Sequence, residues 1–166
     1  DNARSKIMPD YVGLLCARPA RSGGISQLVN AYAVHNEMLH HHPEELATLY
    51  EPFCFDRRGL NLKNEPEISE FPILEWNGNE LLCRFIRLYI EVAHKKKGQP
   101  LTPGQVRALD IFQETVQQEK FRVEFTMERG QILFTNNHWI LHNRTTFEDH
   151  TDPTLKRHLV RLWLAK

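Results

Sequence analysis

The stretch Phe121-Arg122-Val123-Glu124-Phe125-Thr126-Met127, then Gly130-Gln131-Ile132-Leu133-Phe134-Thr135-Asn136-Asn137-His138-Trp139-Ile140-Leu141-His142-Asn143-Arg144-Thr145-Thr146-Phe147, then Arg157-His158-Leu159-Val160-Arg161-Leu162-Trp163 decides the fold. Phe121, Val123, Phe125 and Met127 alternate with polar residues, the period of a half-buried strand. Glu128-Arg129-Gly130 reads as a turn. Ile132–Phe134, Trp139–His142 and Leu159–Leu164 then read as three more strands. Consecutive strands joined by hairpins, after a helical segment, predict a sandwich or jelly roll. Arg157 and Arg161 are separated by an even number of positions, so in a strand they share a face. Two arginines and a histidine, His142, aimed into such a sandwich are costly unless an anion or a metal meets them. The pattern therefore predicts a site rather than a plain core.

Upstream of this stretch, Thr102-Pro103-Gly104-Gln105 reads as a helix start. Thr102 can cap, Pro103 suits the first helical position and Gln105 completes a capping box. The helix should run over about 103–119, burying Val106, Leu109, Ile111, Phe112 and Val116. Residues 81–91 fit either strand or helix, with strand and turn the favoured reading. A variable loop region is expected over about 51–100, in which 53–80, rich in Pro, Asn, Gly and charge, reads as loops with edge strands. Lys95-Lys96-Lys97-Gly98 reads as a solvated turn. A helical insert is expected over about 30–50: one helix from Ala31 to His40, with Val34, Met38 and Leu39 at helical spacing, and a second short one, Glu44 to Tyr50, whose first turn Pro43 fits. Residues 11–16 and 25–29 read as strands. Between them, Gly23-Gly24 breaks regular structure.

The chain has 166 residues and 41% apolar content, enough for most of one domain with a buried core. Lys plus Arg and Asp plus Glu are both 21, which gives no general attraction to nucleic acid or anionic membrane. No apolar run is long enough to span a bilayer. Cys16, Cys54 and Cys83 form no CxxC pair and, as an odd set, no disulfide framework. A reduced, cytoplasmic setting is the expectation. Homo-oligomerisation is left open. The chain enters core-like sequence within a few residues of Asp1, which suggests an N-terminal portion beyond it; the plain rival is a short leader.

The pattern Leu141-His142-Asn143-Arg144-Thr145-Thr146-Phe147 resembles the LHxR-xx-F signature of iron(II)- and 2-oxoglutarate-dependent oxygenases of the taurine dioxygenase/clavaminate synthase (TauD/TfdA) family. That family's fold is a double-stranded β-helix (a cupin-like jelly roll) with flanking helices, α+β or mainly β in class. The chain resembles its C-terminal portion, incomplete at the N-terminus, with the C-terminal strands over about 121–165. The resemblance implies a two-His, one-carboxylate iron site. His142 matches the distal iron ligand. Asp1, followed by Pro9, Tyr11 and Val12, matches the carboxylate ligand of the family's HxD pair, whose histidine would lie two residues upstream. Arg157 matches the arginine that grips the distal carboxylate of 2-oxoglutarate with a planar fork. Gly23-Gly24-Ile25-Ser26 resembles the family's GGxT, so Ser26 would add a hydroxyl to that carboxylate, or Gln27 if the register slips by one. Arg161 matches a position that binds an anionic group of the substrate in some relatives. Asn137 matches a supporting Asn of the strand.

The resemblance implies iron(II), 2-oxoglutarate and O2 as reactants and hydroxylation of an unactivated C–H bond in a small, anionic or amino-acid-like substrate, with release of succinate and CO2. Desaturation or cyclisation by the same residues, and a non-catalytic jelly-roll binding module with a degenerate metal site, are the alternatives. A zinc-dependent hydrolase drawing on several of the nine histidines is a further rival, but no HExxH-like spacing supports it. A zinc pair from His138 and His142 would need a helix, and Trp139-Ile140-Leu141 reads as strand. His40-His41-His42 reads as a solvated run.

Overall fold

The computed structural model describes residues 8–58 and 66–166. The described strands are β1 (Tyr11–Arg18), β2 (Ser22–Gly23), β3 (Ser26–Asn30), β4 (Pro52–Asp56), β5 (Ile68–Pro72), β6 (Leu74–Trp76), β7 (Leu81–Cys83), β8 (Arg122–Phe125), β9 (Ile132–Asn136), β10 (Ile140–Arg144), β11 (Phe147–Glu148) and β12 (His158–Leu164). The helices are α1 (Ala31–His41), α2 (Pro43–Leu49), α3 (Arg87–Lys97) and α4 (Pro103–Val116).

Two three-stranded antiparallel sheets organise the chain, in the orders β12-β1-β9 and β10-β3-β8. Sequence neighbours are split between the sheets: β1 and β3 go to different ones, as do β9 and β10. Register then fixes which side chains share a face. In the second sheet His142 pairs with Leu28, and Arg144 with Ser26, so these four lie on one face. Leu141, opposite Val29, lies on the other. That other face packs on the helices: Val29 joins Val34, Met38, Leu49, Phe53, Ile90, Leu109 and Phe112 in the buried core, with Leu141 and Trp139 against it. The core therefore sits behind the second sheet and leaves its front free to line a site.

Helix α4 begins as expected. Thr102 Oγ1 accepts the Gln105 N–H at 3.2 Å, and the Gln105 side chain accepts the Thr102 N–H at 3.0 Å, a reciprocal capping box. Its buried face differs by one row from the expected one. Ala108, Leu109, Phe112 and Thr115 are buried, whereas Val106 is exposed. Phe112 meets Phe85 edge-on, with ring centroids 4.8 Å apart.

Residues 81–91 are not one strand and turn. Leu81–Cys83 is a strand, and α3 starts at Arg87. Ile90, Ala93 and His94 form the buried side of α3, while Leu88 is exposed. The triplet Lys95-Lys96-Lys97 is the last turn of α3, where cations suit the helix C-terminus, and Gly98 caps it at φ 66°. Lys96 pairs with Asp56 and Glu67, and Lys97 with Glu70. His94 links α3 to β4: its Nε2 lies 3.1 Å from the Cys54 N–H and its Nδ1 2.8 Å from the Gln99 carbonyl.

Candidate active site

A cavity of about 540 Å³ lies between the two sheets. Leu14 and Arg161 reach it from the first sheet, and Ser26, His142 and Arg144 from the second. Arg157, at the end of the loop that follows β11, and His158, the first residue of β12, complete the wall. Three segments far apart in sequence thus converge on one space.

His142 is half-buried in the middle of β10. Burial, helped by the positive charge of Arg161, pushes its pKa down to about 4. A neutral imidazole is what a divalent cation requires, because protonation would block the ligating nitrogen. Cys83 also lines the cavity, but full burial pushes its thiol up to about 12, so it stays protonated and is a poor ligand at neutral pH. Among the described residues no group of three or more His, Cys, Asp or Glu side chains could hold a metal ion. Asp1, the other candidate ligand, lies outside the described residues.

The cavity wall also carries cations. Arg157 and Arg144 both stack on Phe147, with guanidinium carbons 5.1 and 4.4 Å from the ring centroid. Burial first, and then the Arg144 charge, hold the Arg157 guanidinium below its usual pKa. The Arg157 backbone N–H donates to Asp149 Oδ1 at 2.7 Å, which pins the chain as it leaves the loop. Two guanidiniums and a neutral histidine lining one cavity suit a ligand with a carboxylate for the cations and an oxygen donor for a metal. The residues fit iron and a 2-oxo dicarboxylate on that ground.

The register separates the two candidates from the glycine loop. Ser26 is buried, opposite Arg144, and lines the cavity. Gln27 points to the other face, where its amide donates to Glu124 Oε1 at 2.6 Å and it lines a second cavity beside α4. Arg161 is exposed at the rim, in β12, whereas Arg157 precedes that strand. The two arginines reach the same cavity without sharing a strand. Asn137 is buried and donates from Nδ2 to the Pro9 carbonyl at 2.9 Å, while its N–H donates to the Asp10 carbonyl at 2.8 Å, tying the β9–β10 turn to the start of β1.

Sequence reading missed one polar cluster. His138 does not pair with His142: its Nδ1 lies 2.8 Å from Glu80 and its Nε2 3.2 Å from Asp10. Those partners come from the β6–β7 hairpin and the approach to β1, so no local spacing signals them.

Comparison with known proteins places this arrangement in a class. The chain belongs to the taurine catabolism dioxygenase TauD, TfdA family, whose model matches residues 1–163. It is 30% identical over 155 residues to a taurine hydroxylase-like protein of Stachybotrys chartarum, covering 91% of this chain and 39% of that protein. It is 27% identical over 158 residues to a uridine-5'-phosphate dioxygenase of an Amycolatopsis species, covering 92% and 54%. Among solved structures, an asparagine oxygenase in complex with Fe(II), 2S,3S-3-hydroxyasparagine and succinate superposes with a TM-score of 0.76 at 22% identity, covering 99% of this chain and 48% of that one. The non-heme iron oxygenase OrfP in complex with Fe and alpha-ketoglutaric acid superposes with a TM-score of 0.69 at 17% identity, covering 99% and 48%. These structures share the fold. The chain spans about half the length of the relatives it matches.

Proposed function

We propose that this chain carries the cosubstrate-binding part of an iron(II)- and 2-oxoglutarate-dependent oxygenase, built on a double-stranded β-helix to which its two sheets belong. The observation that supports this most is the convergence of His142, Ser26 and Arg157 on one cavity from three separate segments. His142 and Asp1 would hold the iron. Arg157 would bind the distal carboxylate of 2-oxoglutarate through its planar fork, and the Ser26 hydroxyl would donate to the same group. Iron(II) held there, with 2-oxoglutarate and O2, would supply the oxidative decarboxylation that gives succinate and CO2 and the hydroxylation of an unactivated C–H bond.

The protein's own part is placement. Burial in the cavity wall keeps His142 neutral, and Phe147 and Asp149 hold Arg157. Arg161 at the rim would meet an anionic group of a small, amino-acid-like substrate, a reading supported by asparagine oxygenase and by OrfP, whose structures hold hydroxyasparagine and hydroxyarginine. The test is iron-dependent release of succinate from 2-oxoglutarate by the protein that carries this chain. His142→Ala should abolish release while the protein stays folded. Undiminished release in that variant would rule His142 out as the ligand.

A further inference from the structure

We propose that Phe147 is a positioning residue for Arg157, its ring holding the guanidinium at the cavity wall against the repulsion of a second cation on the same ring. This rests on the reading of Arg157 as the anchor for the distal carboxylate.

Arg144, the last residue of β10, and Arg157, just before β12, come from different segments and have like charge. Left to themselves they would separate into solvent, since each gains hydration and side-chain freedom by leaving. Yet both guanidinium carbons lie over one ring, at 4.4 and 5.1 Å from its centroid. The negative face of an aromatic ring attracts a cation and asks for no proton or counter-charge in return. A carboxylate in its place would hold Arg157 more strongly and would compete with the incoming carboxylate of the ligand. The nearby acid, Asp149, is instead engaged with the Arg157 backbone N–H at 2.7 Å. The backbone is fixed by an acid and the head by a ring, which leaves the fork's donors available to a ligand.

Gly24 completes the arrangement. A Cβ there would lie 3.4 Å from Phe147 Cβ and 3.5 Å from Arg157 Nε, so the glycine backbone is already packed against both partners. Phe147 itself opens β11 and pairs with Gly23 of β2, so the ring is carried by a hydrogen-bonded strand pair rather than by a free loop.

The experiment compares two ligands on the Zn(II)-loaded full protein, in which no turnover occurs: 2-oxoglutarate, and pyruvate, which has the same 2-oxo acid head but no distal carboxylate. Binding is measured by calorimetry for the unsubstituted protein, Phe147→Leu and Phe147→Tyr, with denaturation midpoints recorded alongside. Phe147→Met, which keeps bulk without a ring, stands in should the leucine variant not fold. Loss of the ring should weaken 2-oxoglutarate binding on the order of tenfold, leave pyruvate binding unchanged, and be reversed by tyrosine. Equal weakening of both ligands, or no change for either, would overturn the role of Phe147 while Arg157 kept its own. An unsubstituted protein with no preference for 2-oxoglutarate over pyruvate would overturn the cosubstrate reading and this inference with it.

Discussion

Gly23→Ala should be the most damaging single-methyl addition in the site region, and the structure says why. Gly23 has φ +68°, and a Cβ built on it would lie 2.3 Å from the Thr146 carbonyl oxygen, 3.1 Å from Phe147 Cα and 3.3 Å from the Thr146 carbonyl carbon. All three are backbone atoms, so no side-chain rotation relieves the overlap. The left-handed conformation alone costs alanine about 1–2 kcal/mol. Moving the β2–β11 pair apart to admit the methyl adds roughly 1–3 kcal/mol of overpacking. Gly98 supplies the control: it has φ +66° at the end of α3, and an added Cβ meets nothing within 4 Å. Urea denaturation should therefore show a loss of about 1–2 kcal/mol for Gly98→Ala and about 2–5 kcal/mol for Gly23→Ala. Because Phe147 sits opposite Gly23, the second variant should also lose 2-oxoglutarate affinity, and the first should not. Equal stability losses in the two variants would refute the steric argument.

Metal-free protein should lose stability on mild acidification through His142. Its folded pKa is pushed down to about 4 from an ordinary value of 6.5, so both states are neutral above pH 7 and only the unfolded chain gains a proton as the pH falls between these values. By pH 5 that should amount to about 2 kcal/mol, seen as a fall in urea midpoint that His142→Gln lessens; equal pH dependence in both proteins would contradict it. Thr102→Ala, which breaks the capping box of α4, should cost about 1 kcal/mol in the same assay.

The parts of the fold that were readable in sequence are those fixed by local periodicity and local chemistry. Thr102, Pro103 and Gln105 announced α4 because a capping box is made within four residues. The strands β9, β10 and β12 were legible from their apolar runs. The start of α3 was not, because Leu81–Cys83 and the first turn of the helix form one apolar stretch whose period changes midway. Val106 was misplaced because its spacing fits the buried row, while packing against α1 and α2 selects Ala108 and Thr115. In the site, His142 and Arg157 stood out as charged or polar residues at core-like positions. The choice between Ser26 and Gln27 needed the β3–β10 register, which a single residue of slip reverses. The stacking of Arg144 and Arg157 on Phe147, and the contacts of His138 with Asp10 and Glu80, arise from tertiary pairing and leave no trace in local spacing.

The most direct test of the account is anaerobic binding of iron(II), and then of 2-oxoglutarate, to the protein that carries this chain, with His142→Ala and Arg157→Ala measured beside it. The account predicts that His142→Ala loses iron, whereas Arg157→Ala keeps iron and loses 2-oxoglutarate. Iron binding that survives His142→Ala, or 2-oxoglutarate affinity that is indifferent to Arg157, would contradict it.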